Sequence, residues 1–295
     1  MKRLIVLVLF AAAACTTSAR AQTFGPDSYG YTGNHTTGNT FTQIKGNGGI
    51  LITPGSPADP PPATLDDRFY SSNIGFNFPF YGVINTSVFE STNGFISFGG
   101  TTNTLQTLDS QITASYTNGS FATNTLPLGN MQVDRAVVAP WWDDMQFTAA
   151  QPGGIYVLNR TVAGKQEYVI EWNNVAFFNA TANGVTFQIV LRDDGSIDFN
   201  YIDVVNGASG TNGASATIGI HNLGGTLANN QFLQWTFNQA AAVSNGDLIT
   251  FTLSSAVPEP ATMALGGLAL GGVLVTAKRV RARRRSRRPV IAAKV

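Results

Sequence analysis

Cysteine is almost missing from this chain: Cys15 is the single one in 295 residues. That excludes an internal disulfide framework and any cysteine-rich metal site. Histidine is nearly as scarce, with only His35 and His221. Two distant histidines do not close a zinc site without carboxylates brought from elsewhere. Neither accompanies a G-x-S-x-G elbow, so nucleophilic hydrolysis by a Ser-His-Asp set has no motif to rest on. Charged residues make up only 12% of the chain, and the long apolar runs are confined to its two ends.

The N-terminal end reads as an address. Lys2 and Arg3 precede an apolar run from Leu4 to Ala14, and Ala19-Arg20-Ala21 places small residues where a signal peptidase inspects them. This is the layout of a secretory signal peptide over residues 1–21, with Gln22 as the first mature residue. The run is too short to span a bilayer as a mature helix. A lipoprotein signal with a lipidated Cys15 is the alternative, although Ala12 stands where such signals carry Leu. Cleavage after Ala21 leaves a mature chain without cysteine.

The C-terminal end holds three parts over residues 257–288. Val257-Pro258-Glu259-Pro260 comes first, then an uncharged run from Ala261 to Ala277, then Lys278, Arg279, Arg281, Arg283, Arg284, Arg285, Arg287 and Arg288. Proline fixes φ and lacks an N–H, so Pro258 and Pro260 hold Glu259 extended, as a processing cleft requires. The run predicts a single transmembrane helix over 261–277, with the cations as a membrane stop kept inside. On that reading the membrane is a transient partner and the precursor sits in the inner membrane. Gly267 and Gly271 form a G-x-x-x-G spacing, whose small residues suit a helix docking face. A nucleic-acid arm is the other use of an arginine cluster; beside an apolar run on an exported chain the topological use is favoured.

These residues together resemble the PEP-CTERM sorting signal of bacterial exported proteins. The resemblance covers about 35 residues and rests on the combination, since a lone Pro-Glu-Pro is uninformative. It implies recognition by exosortase, a membrane cysteine transpeptidase that cuts near the motif and passes its substrate to the outer surface or extracellular matrix.

Between the ends the electrostatics change sign. Only 6 of the 18 Lys and Arg lie in residues 22–256, against 16 of the 17 acids, a net charge near −10 under a whole-chain value of +1. An acidic body argues against nucleic acid as a partner. Gly, Asn, Thr, Ser and Phe are prominent there while Lys and Glu are rare, which suits strands and turns rather than helices.

Residues 22–66 read as a loop-rich N-terminal segment, with short strands possible at 40–45 and 50–53. The pattern tightens in 67–256. Ile74, Phe76, Phe78 and Phe80 alternate with Gly75, Asn77 and Pro79, a half-buried strand that Pro79 restricts to an edge. Tyr168, Ile170 and Trp172 face one side while Val169 and Glu171 face the other; Val185, Phe187, Ile189 and Leu191 repeat the alternation. Asp193-Asp194-Gly195-Ser196 reads as a bulged hairpin turn. No segment sustains a 3.6-residue period. The expected class is all-β, an antiparallel two-sheet β-sandwich flanked by the signal peptide and the transmembrane helix.

The succession Phe76-Asn77-Phe78-Pro79-Phe80-Tyr81-Gly82, Ser91-Thr92-Asn93-Gly94-Phe95, then Ala139-Pro140-Trp141-Trp142-Asp143-Asp144 is similar to the nidogen-type extracellular domain. That resemblance implies a secreted adhesive or structural β-module without catalytic residues. The carboxylate pairs are Asp66-Asp67, Asp143-Asp144 and Asp193-Asp194. Neighbours in a strand point to opposite faces, so a sequence pair is not a catalytic pair. Asp143 and Asp144 are the weak metal candidates, with Trp141 or Trp142 as a platform for a sugar. The alternative is that one tryptophan packs inside while the aspartates hold loop amides. No cofactor is expected. The functional expectation is an exported, non-catalytic surface or matrix protein, met by signal peptidase and exosortase; a protein that binds or cleaves extracellular polysaccharide is the alternative.

Overall fold

A computed structural model of the chain describes residues 21–53, 64–98, 116–123, 136–149, 152–178, 180–205, 211–222 and 231–253, without the side chains of 64 and 180–183. The chain divides into two compact units, Met1–Leu253 and Ser254–Val295. The first is all-β.

Its larger sheet runs from β1 (Gln22–Phe24) through β2 (Tyr31–Thr36), β16 (Leu248–Leu253), β13 (Ile197–Asp203), β12 (Ala180–Arg192), β11 (Lys165–Phe177) and β10 (Gly154–Val162) to β3 (Ile50–Leu51). Two further strands, β4 (Thr64–Asp66) and β9 (Met145–Thr148), join it where β9 pairs with the end of β11. The smaller sheet has the order β15 (Phe232–Phe237), β14 (Thr217–Asn222), β8 (Ala136–Trp142), β7 (Ile96–Ser97), β6 (Val83–Ser91) and β5 (Phe69–Phe80). The pairings are antiparallel throughout.

Alternation decides which face each side chain takes. On β11, Tyr168, Ile170 and Trp172 enter the main core, while Val169 lies on the opposite face with Val190 and Ile44. Phe187 of β12 stands between two indoles, 5.3 Å from Trp172 and 5.7 Å from Trp141 of β8. All three rings are fully buried, and aromatic burial of this kind supplies much of the driving force for closing two sheets.

The Asp193–Ser196 turn forms as its residues predict. Gly195 sits at φ +81°, its N–H donating to the Arg192 carbonyl at 2.9 Å. A Cβ there would come within 2.9 Å of the Pro79 carbonyl oxygen, so the position excludes larger residues twice over. Pro79 lies in β5, an edge strand that among the described residues pairs with β6 alone. That hairpin closes through Tyr81 and Gly82, both at positive φ.

The sequence reading makes 22–66 mostly loop, yet these residues supply β1 to β4. Residues 40–45, read as a possible strand, instead form a strap over the outer face of the larger sheet. The Ile44 N–H donates to Oε2 of the buried Glu171 at 2.6 Å. Short strands rich in Gly and Thr leave little alternation to read, and their partners are distant in sequence. Phe24 illustrates this: its ring lies on Gly33 of β2, where an added Cβ would be 2.2 Å away.

One expectation is corrected. Among the described residues no helix is long and apolar enough to cross a membrane, and 261–277 lie outside them. The transmembrane helix is therefore withdrawn from the architecture. The membrane as a transient anchor and the inner-membrane precursor, which rested on that helix, go with it. Length supplies the physical reason: 17 residues make about 25 Å of helix against a hydrocarbon core of about 30 Å.

Candidate functional site

A group of carboxylates gathers where β8 ends. Trp141 and Trp142 occupy successive positions of that strand and therefore take opposite faces. Trp141 enters the main core; Trp142 enters a smaller cluster with Phe95 and Phe121. Both are 0% exposed, so neither offers a ring face to a sugar.

The two aspartates that follow have separate fates. Asp143 is buried, its Oδ2 accepting from the Ser215 hydroxyl at 2.5 Å and its Oδ1 from the Asp144 N–H at 2.9 Å. Burial raises its pKa, and the Ser215 hydrogen bond opposes the rise. It ties the β8–β9 turn to the segment before β14. Asp144 instead turns toward Asp66 and Asp67, at the end of β4. One oxygen from each of these three carboxylates falls within 4.8 Å of the others.

Asn93 builds the frame. Its side chain donates to Asp67 Oδ1 at 2.8 Å and accepts from the Met145 N–H at 2.9 Å. Its carbonyl accepts from the Asp143 N–H at 3.3 Å. This one buried amide thus joins the ends of β4 and β6 to the β8–β9 turn. The electrostatics follow from crowding. Burial, then the charges of Asp66, Asp67 and Asp143, push Asp144 up to about 6. Burial also raises Asp66 and Asp67. Such a group can share a proton or accept a hard cation through oxygen ligands. The sequence places Asp66-Asp67 and Asp143-Asp144 in separate pairs; the fold takes both members of one and a single member of the other. No local signal announces that selection, because it depends on β4 pairing with β9.

The histidines do not join this cluster. His35 Nε2 stands 3.0 Å from Asp247 Oδ2. His221 packs on Phe121 and Phe232, and burial pulls its pKa down to about 4. Among the described residues neither ring holds a serine or threonine hydroxyl. Asp194, of the third carboxylate pair, serves its turn by accepting from the Ser196 N–H at 3.0 Å.

The sorting residues Val257, Pro258, Glu259 and Pro260, Gly267 and Gly271, and the cations from Lys278 to Arg285 lie outside the described residues. Their segment, residues 256–285, matches the family described as the PEP-CTERM protein-sorting motif. Residues 30–254 match the family described as NIDO related. No curated protein and no solved structure matches the chain. Both resemblances read from the sequence are thereby borne out. The protein is an exported surface or extracellular-matrix protein that carries a PEP-CTERM signal and is processed through exosortase. Its β-body spans nearly the whole of the first match, and the chain belongs to the NIDO-related family.

Proposed function

We propose that the body is a non-catalytic structural or adhesive module of the cell surface or matrix, which the two ends deliver. The match over residues 30–254 carries this reading, since it takes in almost the entire β-body. The site geometry supports it. Asp143 is engaged with Ser215, the tryptophans beside it are sealed, and among the described residues His35 meets Asp247 while His221 packs between phenylalanines. Incubation of the full-length protein with a panel of polysaccharides should release no new reducing ends. Turnover abolished by Asp144→Asn would overturn the reading.

Residues 1–21 act as the signal peptide, 22–66 and 67–256 as parts of the exported body, and 257–288 as the sorting signal. Within that signal Val257-Pro258-Glu259-Pro260 is the recognised element. Gly267 and Gly271 give it a face of small residues for the processing enzyme, and Lys278, Arg279, Arg281, Arg283, Arg284 and Arg285 its cationic end. Glu259→Ala should leave the C-terminal segment attached, seen as an uncut mass in protein from the native host. Normal maturation of that variant would remove Glu259 from the recognised element.

A further inference from the structure

A cavity of about 320 Å³ opens between the outermost described strands of the two sheets, lined by Gln22, Phe24, Gln234, Trp235, Gln239 and the loop Ala240–Ala242. Its walls come from β1 and β15, the terminal strands of the larger and smaller sheet respectively. Thr236, also in the wall, buries a hydroxyl that has no hydrogen-bond partner among the described residues. We propose that this cavity is a binding site for a neutral saccharide unit of a polysaccharide chain.

Three observations converge on that ligand. First, the wall holds no ionisable side chain. It offers three glutamine amides and two aromatic rings, on a body whose net charge is near −10. A cation would find no carboxylate to pair with, and a polyanion would meet a strongly acidic body around the single α-amino group that cleavage after Ala21 leaves on Gln22. A polyhydroxylated neutral ligand needs the combination present: amides that donate and accept, beside a flat apolar surface for its C–H face.

Second, the platform is held in place. The Trp235 indole N–H donates to the Ala242 carbonyl at 2.8 Å, which pins the 240–242 loop to the ring. Phe24 lies 5.3 Å from the indole and His35 lies 4.6 Å from it. His35 in turn meets Asp247 at 3.0 Å. A ring fixed on these sides loses little freedom when a ligand stacks on it. Gln234 is fixed as well: its Oε1 accepts from the Phe121 N–H at 2.7 Å and the Ser120 hydroxyl at 3.1 Å. What it has left to offer is its NH₂.

Third, size and place agree. A volume near 320 Å³ is at the lower end for small-molecule sites, about 300–1,000 Å³. It suits one or two sugar rings, and an opening at a sandwich edge lets a polymer continue on either side. The inference rests on the adhesive reading of the body, for which it names the ligand class.

The chain reports on this site by itself. Of its four tryptophans, Trp141, Trp142 and Trp172 are fully buried, while Trp235 is partly exposed. Acrylamide quenching of the full-length protein therefore reads Trp235. Dextran or laminarin should protect the fluorescence and retard the protein in affinity gels, and anionic alginate should do neither. Gln239→Ala, at an exposed position that leaves the packing intact, should weaken retardation about 5-fold for the loss of one hydrogen bond. Trp235→Phe should weaken it further while removing the quenchable signal. Absence of retardation by any neutral glycan, equal retardation by alginate, or unaltered binding by both variants would overturn the proposal. Retention with release of reducing ends would instead sink the non-catalytic reading and leave the site standing.

Discussion

Two glutamates of this protein are equally inaccessible to water, and the fold treats them differently. Glu90 and Glu171 are both 0% exposed. Glu171 lies on the outer face of the larger sheet, beneath the strap that carries Ile44. Three donors meet it: the Ile44 N–H at 2.6 Å, the Gln188 amide at 2.8 Å and the Asn173 amide at 3.0 Å. Glu90 lies on β6 and accepts from the Tyr168 hydroxyl of the facing sheet at 3.0 Å. Burial pushes it up to about 8, against the opposing hydrogen bonds of Ser72 and Tyr168. The surroundings of a carboxylate, rather than its depth alone, decide what it holds together. Glu171 organises a loop, and Glu90 bridges two sheets.

The comparison breaks most visibly at Glu171. Replacement by Ala orphans three buried donors together, and the expected loss is about 3–5 kcal/mol in urea unfolding. Amide exchange at residues 42–45 should accelerate before global unfolding does. A variant as stable as the parent would mean that the strap is held by the packing of Ile44 on Val169 and Val190 instead.

At Glu90 the effect should depend on pH. The unfolded chain releases this proton near 4.5, whereas the folded protein keeps it to about 8. The folded state thus binds more protons across that window, and stability falls as pH rises through it. Glu90→Gln keeps an acceptor for Tyr168 and removes the titration. It should be close to neutral at pH 5 and stabilising above pH 8, by on the order of 3–5 kcal/mol. Parallel pH profiles for the two proteins would show that Glu90 titrates as an ordinary carboxylate.

The smallest effect is expected at Asp144, where partial burial is joined by the charges of Asp66, Asp67 and Asp143. Its proton is released near 3.8 when unfolded and near 6 when folded, so stability again falls as pH rises through that interval. Asp144→Asn should raise the melting midpoint by about 1–3 °C at pH 7 and leave it unchanged at pH 3. A lower midpoint at pH 7 that appears only with calcium present would show that Asp66, Asp67 and Asp144 hold a cation together.

Local pattern carried much of this architecture. Val185, Phe187, Ile189 and Leu191 enter the core because successive side chains of a strand take opposite faces. The turn at Gly195 was readable because a left-handed position selects glycine. The ends were readable for a different reason: a targeting signal must be recognised as a linear segment, so its chemistry lies in consecutive residues. The strands within 22–66 were not legible. Tyr31 reaches the core from a six-residue strand that also holds Gly33 and Asn34, and its alternation is too short to stand out. The carboxylate cluster was hidden because its members come from the end of β4 and the turn before β9, which only antiparallel pairing unites.

Read alone, the sequence determined the β class, the acidic body and the export address, each a property of composition or of contiguous residues. Tertiary structure decided that Trp141 and Trp142 are sealed while Trp235 edges an open cavity, and that Asp144 leaves its neighbour to join Asp66 and Asp67. The physical reason is that a strand specifies the side its residues take. What they meet there depends on partners chosen by long-range pairing and by which sheet edges remain open.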